Sequence, residues 1–495
     1  MIPSRAAKNM EKFYDDPGLN KIANLVVELM PTLAQFFRSE ETLDEYSRRI
    51  NIYQSPAVYI ERQKELKKLI RGKIESIFNQ EERENIDLRI DDETGLTAGS
   101  MDHHGILNHP ILTSIHALTN FYKLYNRKQF GDILTFATSN VPFNDPFHKR
   151  GIILHDKKIN LFPKKFEHKL MWGMPKYDFD IAGRLKEKHQ WHLFDSREQQ
   201  FLEKITSELR GLDFSTCQYL GDEMTKVNFY LWKRLFPLED RGQIANLIVV
   251  EDTVFTDYLI NLIQNEPKSF VGQMIFNNDF RTRALKKFEG IPGAWNDEKE
   301  VGSQLFWLVD EENERVRLVV EGDFLVGKEH RIRIEVAEIT ELLRQRKLIP
   351  CMLLKFALVI VYLGMKTLTG FSLEYTTRMV KAIRELIKDD FPEEYELSGK
   401  IILNSMNVAS ITLGPDGQGG WKELYAFDVI YNGGFDKKVL EKMGRIQYKE
   451  LLIPYLAFAY SYGLSKYGRP EEAVALPYTE AELKKIFEDK FNNLS

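Results

Sequence analysis

The sequence predicts an α/β fold: a parallel-sheet core with large helical additions. Three observations predict it. Apolar runs of strand length alternate with helical periodicity after residue 90. An amphipathic helical pattern fills the chain before it. A histidine-rich loop falls where the first strand hands over to a helix.

In residues 20–80, Leu25, Val26, Leu29, Leu33 and Phe36 recur at helical spacing, with charged residues on the other faces. Asp91, Asp92, Glu93, Thr94 and Gly95 read as a turn. Residues 96–101 read as a short strand. Pro110 suits the first turn of a helix running to about residue 125, and 133–138 reads as a buried strand. Strand, helix and strand in so short a stretch is the pattern of a parallel βαβ unit. Residues 151–154 read as another strand. Residues 196–265 look mostly helical, with a strand at 247–250. Residues 303–334 look like a hairpin, 336–343 like a helix, 351–363 like a buried core helix, and the stretch after Glu374 like a further helix. Residues 401–413 and 424–431 alternate like strands, with glycine-rich turns between. The expected organisation is a helical segment over 1–90, a core over 91–390 with a helical insertion around 196–300, and a C-terminal α+β segment over 391–495.

Composition excludes several function classes. The chain has 495 residues, 43% hydrophobic, and a formal net charge of −5, so it carries no global basic footprint for nucleic acid. Two cysteines, Cys217 and Cys351, exclude a disulfide framework. The N-terminus lacks the apolar run of a signal peptide, and the apolar run at 351–363 is too short to span a bilayer. The expectation is a cytoplasmic protein with a small-molecule substrate, without nucleic-acid or membrane partners; a homo-oligomer stays open.

Nine of the ten histidines lie between His103 and His192. Histidine moves protons and binds metals near neutral pH, which marks Asp102-His103-His104-Gly105-Ile106-Leu107-Asn108-His109-Pro110 as the place for chemistry. Three readings compete. Asp102-His103-His104 spells the start of a manganese phosphoesterase site, for which Asp145 and His148 are the downstream ligands and His155 and Asp156 could supply more. His103-x-Gly105 before a helix is half of a nucleotide-handling motif, in which backbone amides and the helix N-terminus meet phosphate. The third reading is packing and capping, which fits His116, His168, His189 and His192 best.

Two separated segments resemble the bacillithiol biosynthesis cysteine-adding enzymes. The family form Thr-Gly-Gln-Gln-x-Gly-Leu-x-x-Gly-Pro-Leu-x-Thr-x-x-Lys-Ala is similar to the stretch from Asp102 through Leu118. An acidic/His cluster follows in the family, and Asn144, Asp145 and His148 lie at the corresponding place. The second form, Pro-x-x-Leu-Leu-Arg-Pro, an apolar run, then Gly-Pro-Gly-Glu-x-x-Tyr, is similar to Pro350 through Phe356 followed by Gly370, Ser372, Glu374 and Tyr375. The departures are Asp102-His103 for Gln-Gln, His109 for Gly, and Lys355 for Arg, where a planar fork is lost. The long C-terminal coiled coil is missing. The resemblance implies a Rossmann-like, nucleotidylyltransferase-like core and a reaction joining an amino acid or amine to an acceptor.

Together these readings predict a carbon–nitrogen ligase or group-transfer enzyme. His103, His104, Asp145 and His148 are the expected catalytic residues. Asp102, Gly105, Asn108, His109, Asn144, Lys355, Gly370, Ser372, Glu374 and Tyr375 are expected to bind substrate. The cofactor left open is a nucleotide. The alternatives are a metal-dependent hydrolase built on Asp102, His103, His104, Asp145 and His148, and a non-catalytic protein binding a metabolite or partner.

Overall fold

The computed structural model describes residues 10–493 except 53, 91, 92, 94, 101, 145–149, 404, 407, 409–412, 416–420, 469, 470 and 472. The fold is mixed α/β. Helices precede the first strand, as the periodicity requires. The longest, Ala57–Ile77, buries Leu66, Ile70, Ile74 and Ile77 along one stripe. Reciprocal caps start two others: Thr42 with Glu45, and Asn79 with Glu82.

Strands β1 (Thr97–Ser100) and β2 (Asp102–His103) lead into the helix Pro110–Thr119 and then β3 (Ile133–Thr138). β2 and β3 are parallel, with Asp102 opposite Ala137 and His103 opposite Thr138. A strand–helix–strand unit is present, but the strand that pairs parallel with β3 is Asp102–His103; β1, within the expected 96–101, pairs with Lys366–Leu368 instead. β4 (Gly151–Leu154) does not extend that sheet; it folds back on β5 (Lys157–Asn160) as an antiparallel hairpin. The next parallel neighbour of β3 is β6 (Leu247–Glu251), in register from Ile133–Leu247 to Ala137–Glu251.

Every residue of β6 is buried. Leu247 and Val249 pack with Trp232, Ile133 and Ala137, while Ile248 and Val250 pack on the opposite face with Phe136, Leu66 and Ile70. Burial on both faces is why this strand reads as a continuous apolar run rather than an alternation.

The expected hairpin is present as β7 (Phe306–Val309) and β8 (Arg315–Arg317). β9 (Val319–Glu321), β10 (Phe324–Gly327) and β11 (His330–Arg333) form a separate antiparallel sheet. β12 (Leu348–Pro350) returns to pair with β7. The apolar run after it is a buried helix, Met352–Phe356, continued by a π-helical turn to Tyr362. β13 (Lys366–Leu368) lies parallel to β1. β14 (Leu413–Pro415) and β15 (Trp421–Glu423) pair antiparallel.

One expectation fails here. Residues 424–431 are not a strand; Ala426–Tyr431 is a helix. The Asp428 carboxylate accepts the Tyr425 N–H at 3.1 Å, which sets the first turn. Ala426 and Val429, three apart, then bury on one face. Of 401–413, only Leu413 is assigned to a strand among the described residues. One core gathers residues from before position 90, such as Leu19 and Tyr46, and from after 390, such as Tyr448 and Phe487.

The amino end of the sheet is held by Asp132. Its side chain is wholly buried and pairs with Arg127 at 2.7 Å. It also accepts from the N–H groups of Asp87 and Asn246, at 2.8 and 2.7 Å. Removing one partner of a buried ion pair strands the other. We expect Asp132→Ala to lower the unfolding free energy by about 3–5 kcal/mol. Urea denaturation measures it, and a loss below about 1 kcal/mol would show that this clamp is dispensable.

Candidate functional site

Parallel pairing sets the carboxyl ends of β2, β3 and β6 side by side. At the end of β6 two acidic residues follow each other. The Asp252 N–H donates to the Ala137 carbonyl at 2.9 Å. One Asp252 carboxylate oxygen accepts from the Ser139 N–H and hydroxyl, at 3.1 and 2.9 Å. The other meets the ammonium of Lys355. All three residues are buried. Lys355 reaches this point because Leu353 and Leu354, its neighbours on a short helix, are anchored in the core.

Glu251 is also wholly buried. Its Oε2 accepts from the Thr253 hydroxyl at 3.1 Å and faces Arg346 Nη1 at 3.4 Å. Its Oε1 has no hydrogen-bond partner among the described residues. Arg346 has a left-handed backbone, φ 57°. Its carbonyl accepts the Trp172 indole N–H at 2.8 Å, and its guanidinium lies 4.1 Å from the Tyr219 ring centroid. That stacking holds the charge close to the Glu251 carboxylate.

Gly221 opens the opposite wall, in the first turn of the helix Leu220–Arg234. A Cβ there would lie 2.9 Å from Glu251 Oε1 and 3.3 Å from His104 Nε2. A side chain there would press on both groups. His104 is buried, and its Nε2 lies 3.0 Å from the Gly221 carbonyl. A carbonyl only accepts, so Nε2 carries the proton and Nδ1 the lone pair in the neutral ring. The backbone N–H of His104 donates to Thr138 at 2.9 Å, which ties this residue to the end of β3.

Around this edge the charges are graded. Lys73 pairs with Asp222 at 2.6 Å. Burial opposes ionisation of Asp222, but Lys73 and the N–H groups of Gln218 and Tyr219 hold its pKa below the usual carboxylate value. Asp257 is exposed yet crowded by protein; loss of solvation raises its pKa, while Arg346 and Lys73 pull it down. Glu223, in the first turn of the Leu220–Arg234 helix, is buried, and that burial pushes its pKa up to about 7. The Tyr177 N–H, donating at 2.8 Å, only partly offsets it.

The residues singled out in the sequence separate into groups. His103 is half-buried at the end of β2, and Lys355 stands in the charged edge. Gly105 and Asn108 are part of the scaffold. The Gly105 carbonyl accepts from Asn228 at 2.9 Å, and the Leu107 N–H donates to the same side chain at 2.7 Å. That N–H, expected to help cradle an anion, is therefore already used. Asn108 Oδ1 accepts from Ile153 at 3.0 Å, and its carbonyl accepts from Ala426 at 2.9 Å. His109 meets the Tyr425 ring edge-on at 5.8 Å.

Gly370 and Ser372 follow β13, the parallel neighbour of β1. Glu374 is buried and accepts from the Thr32 N–H and hydroxyl, at 3.1 and 2.8 Å, and from Arg378 at 3.0 Å. All of these partners are internal, so it anchors the Pro31–Leu33 turn. Tyr375 lies parallel to Phe356 at 6.5 Å. Asn144 is exposed and sits 3.3 Å from His168. Asp145, His148 and the side chain of Asp102 lie outside the described residues. Sequence reasoning missed Ser139, Gly221, Glu251, Asp252 and Arg346. The signal available was the adjacent Glu-Asp closing the apolar run at 247–250.

Among the described residues no group of three or more His, Cys, Asp or Glu side chains is placed to hold a metal ion, and no helix is long and apolar enough to cross a membrane. No protein-family model matches the chain, and no curated protein matches it.

Glu223 gives a pH-dependent expectation. Its folded pKa of about 7 exceeds the usual 4.5. Its contribution to stability is therefore full below pH 4.5 and is lost as pH rises through 7. Glu223→Gln should gain stability relative to the parent between pH 4 and 8, by up to ~3 kcal/mol. Chemical denaturation at both pH values measures this; an unchanged difference would place the carboxyl in a solvated setting.

Proposed function

We propose that the carboxyl edge of β2, β3 and β6 is the active site of a carbon–nitrogen ligase or group-transfer enzyme, on a Rossmann-like core, that takes a small molecule bearing an amine. The observation that carries it is Glu251 Oε1. A buried acceptor without a donor costs about 1–3 kcal/mol, and a ligand N–H supplies the missing donor. Its place fits, since ligands of parallel α/β sheets bind outside the carboxyl ends of the strands.

Convergence supports the reading. The two segments on which the family resemblance rests lie some 250 residues apart in the sequence. Yet Lys355 from the second binds Asp252, whose N–H bonds Ala137, next to the Thr138 carbonyl that accepts from His104 of the first. In this reading Glu251 takes the amine. Arg346 and Lys355 offset negative charge on the acceptor, and His104 is a positioning residue that fixes the Gly221 wall.

Calorimetric titration with a panel of primary amines and amino acids tests it. Glu251→Gln should weaken binding of the best ligand about tenfold or more, equivalent to ~1.4 kcal/mol, with the fold intact. Equal affinity in parent and variant, or no binding by any amine, rejects the reading.

A further inference from the structure

The described histidine at the strand ends whose bonding is fixed, His104, presents a protonated Nε2 to a carbonyl. A transfer onto an amine also needs an acceptor for the proton that nitrogen releases. A second imidazole is arranged for that work on the β4–β5 hairpin.

The hairpin turns through His155 and Asp156, both left-handed, with φ 48° and 64°. Two-residue turns of this kind favour Asn-Gly, because φ must be positive at both positions. A side chain larger than Asn held there costs of order 1 kcal/mol or more. His155 is nonetheless pinned from several directions. Its N–H donates to Asp428 at 2.7 Å, its ring meets Tyr431 edge-on at 4.7 Å, and its Nδ1 lies 2.8 Å from Glu198 Oε1.

Glu198 is 3% exposed, whereas the His155 side chain is 33% exposed. Burial works against the Glu198 charge, but Lys157, His155 and the Asp195 N–H keep its pKa below the usual value. Lys157 binds both carboxylate oxygens, at 2.8 and 2.7 Å, so Glu198 is charged and immobile. A carboxylate accepts, so His155 Nδ1 donates and Nε2 holds the lone pair. Nε2 makes no hydrogen bond among the described residues. A buried carboxylate orienting an accessible imidazole is the arrangement general-base catalysis uses.

The hairpin also belongs to the rim of the loop that follows β2. Asp428 bridges the N–H groups of His155 and Tyr425, and Tyr425 meets His109. Asn108 binds Ile153 of β4. His104 and Asn108 are four residues apart, so their Cα atoms are at most ~14 Å apart.

We propose that His155 is the proton acceptor at this rim, positioned by Glu198, for an amine or hydroxyl group of a small polar substrate. The assignment rests on the group-transfer reading. As the substrate nitrogen or oxygen bonds to the carbonyl carbon of an ester or thioester acyl donor, its proton passes to His155 Nε2. Glu198 stabilises the imidazolium, and the proton then goes to the leaving group as its bond to the acyl carbon breaks.

The test uses p-nitrophenyl acetate, which needs no physiological substrate. Nε2 attacks the ester carbonyl, p-nitrophenolate leaves, and water releases acetate from the acyl-imidazole. His155→Asn should cut the rate by about tenfold or more, while Asn suits the left-handed turn and keeps the hairpin. Glu198→Gln, which preserves the helix cap, should slow cleavage and change its pH profile. His192→Gln, at an exposed position, should leave the rate unchanged. A His155→Asn rate within twofold of the parent, with unchanged circular dichroism, overturns the proposal, as does a Glu198→Gln profile identical to the parent's. Either failure leaves the Glu251 reading to its own amine titration, because the ester assay involves neither Glu251 nor amine binding.

Discussion

Two adjacent carboxylates at the buried carboxyl end of β6 are the constraint around which this chain is organised. Each buried charge loses several kcal/mol of solvation unless it is matched. Glu251 closes the strand and Asp252 stands at the N-cap of the helix that follows, and the two carboxylates meet separate cations. Asp252 receives Lys355 and Ser139; Glu251 receives Arg346 and Thr253. The two cations come from about a hundred residues further along, on either side of β12. Matching these charges ties the segment that pairs with the β7–β8 hairpin to the edge of the parallel sheet. Gly221 lies in the same place, where a Cβ would displace the Glu251 carboxylate and crowd His104.

Much of the scaffold was legible because its signals are local. The apolar run at 247–250 is a strand buried on both faces, and the run after Cys351 is a helix buried all round. The strand–helix–strand reading held in part: Pro110 marks where the helix starts and 133–138 is a strand, but its parallel partner is Asp102–His103, while β1 pairs with β13. Residues 424–431 misled because Leu424, Ala426 and Ile430 alternate with polar or aromatic neighbours, while the deciding contact is a single carboxylate, Asp428, reaching back to Tyr425. β4 was read as a strand and is one, but its partner was not legible: a short apolar strand reads the same whether it joins a parallel sheet or folds into a hairpin.

The site was legible only in part. His103, His104 and Lys355 were named from the sequence, and their segments come to the ends of adjacent parallel strands. Glu374 was named as well, but it is occupied in holding the Pro31–Leu33 turn, and Asn108 holds Ile153 through Oδ1 while its buried Nδ2 makes no hydrogen bond among the described residues. Residue type does not separate these cases. A buried Glu is costly in either role, and the count of satisfied partners separates Glu374 from Glu251. Glu374 has an internal donor on each oxygen. Glu251 has donors on one oxygen alone. That asymmetry is invisible in sequence, since Thr253 and Arg346 are unremarkable letters until the strand end brings them together.

The same accounting distinguishes the histidines. His104 looks the more chemical of the two in sequence, adjacent to His103 and to a glycine. Its Nε2 is given to a backbone carbonyl, which fixes the ring as part of a wall. His155 sits in the turn of a hairpin, between Leu154 and Asp156, and the sequence offered it with Asp156 only as a further metal ligand. Yet its ring combines a buried anionic partner on Nδ1, accessibility, and a backbone held where glycine is preferred. Clustering in the sequence reports where histidines are dense. The hydrogen bond to the second ring nitrogen reports which of them is set to accept a proton, and that depends on Glu198, more than forty residues away on another element.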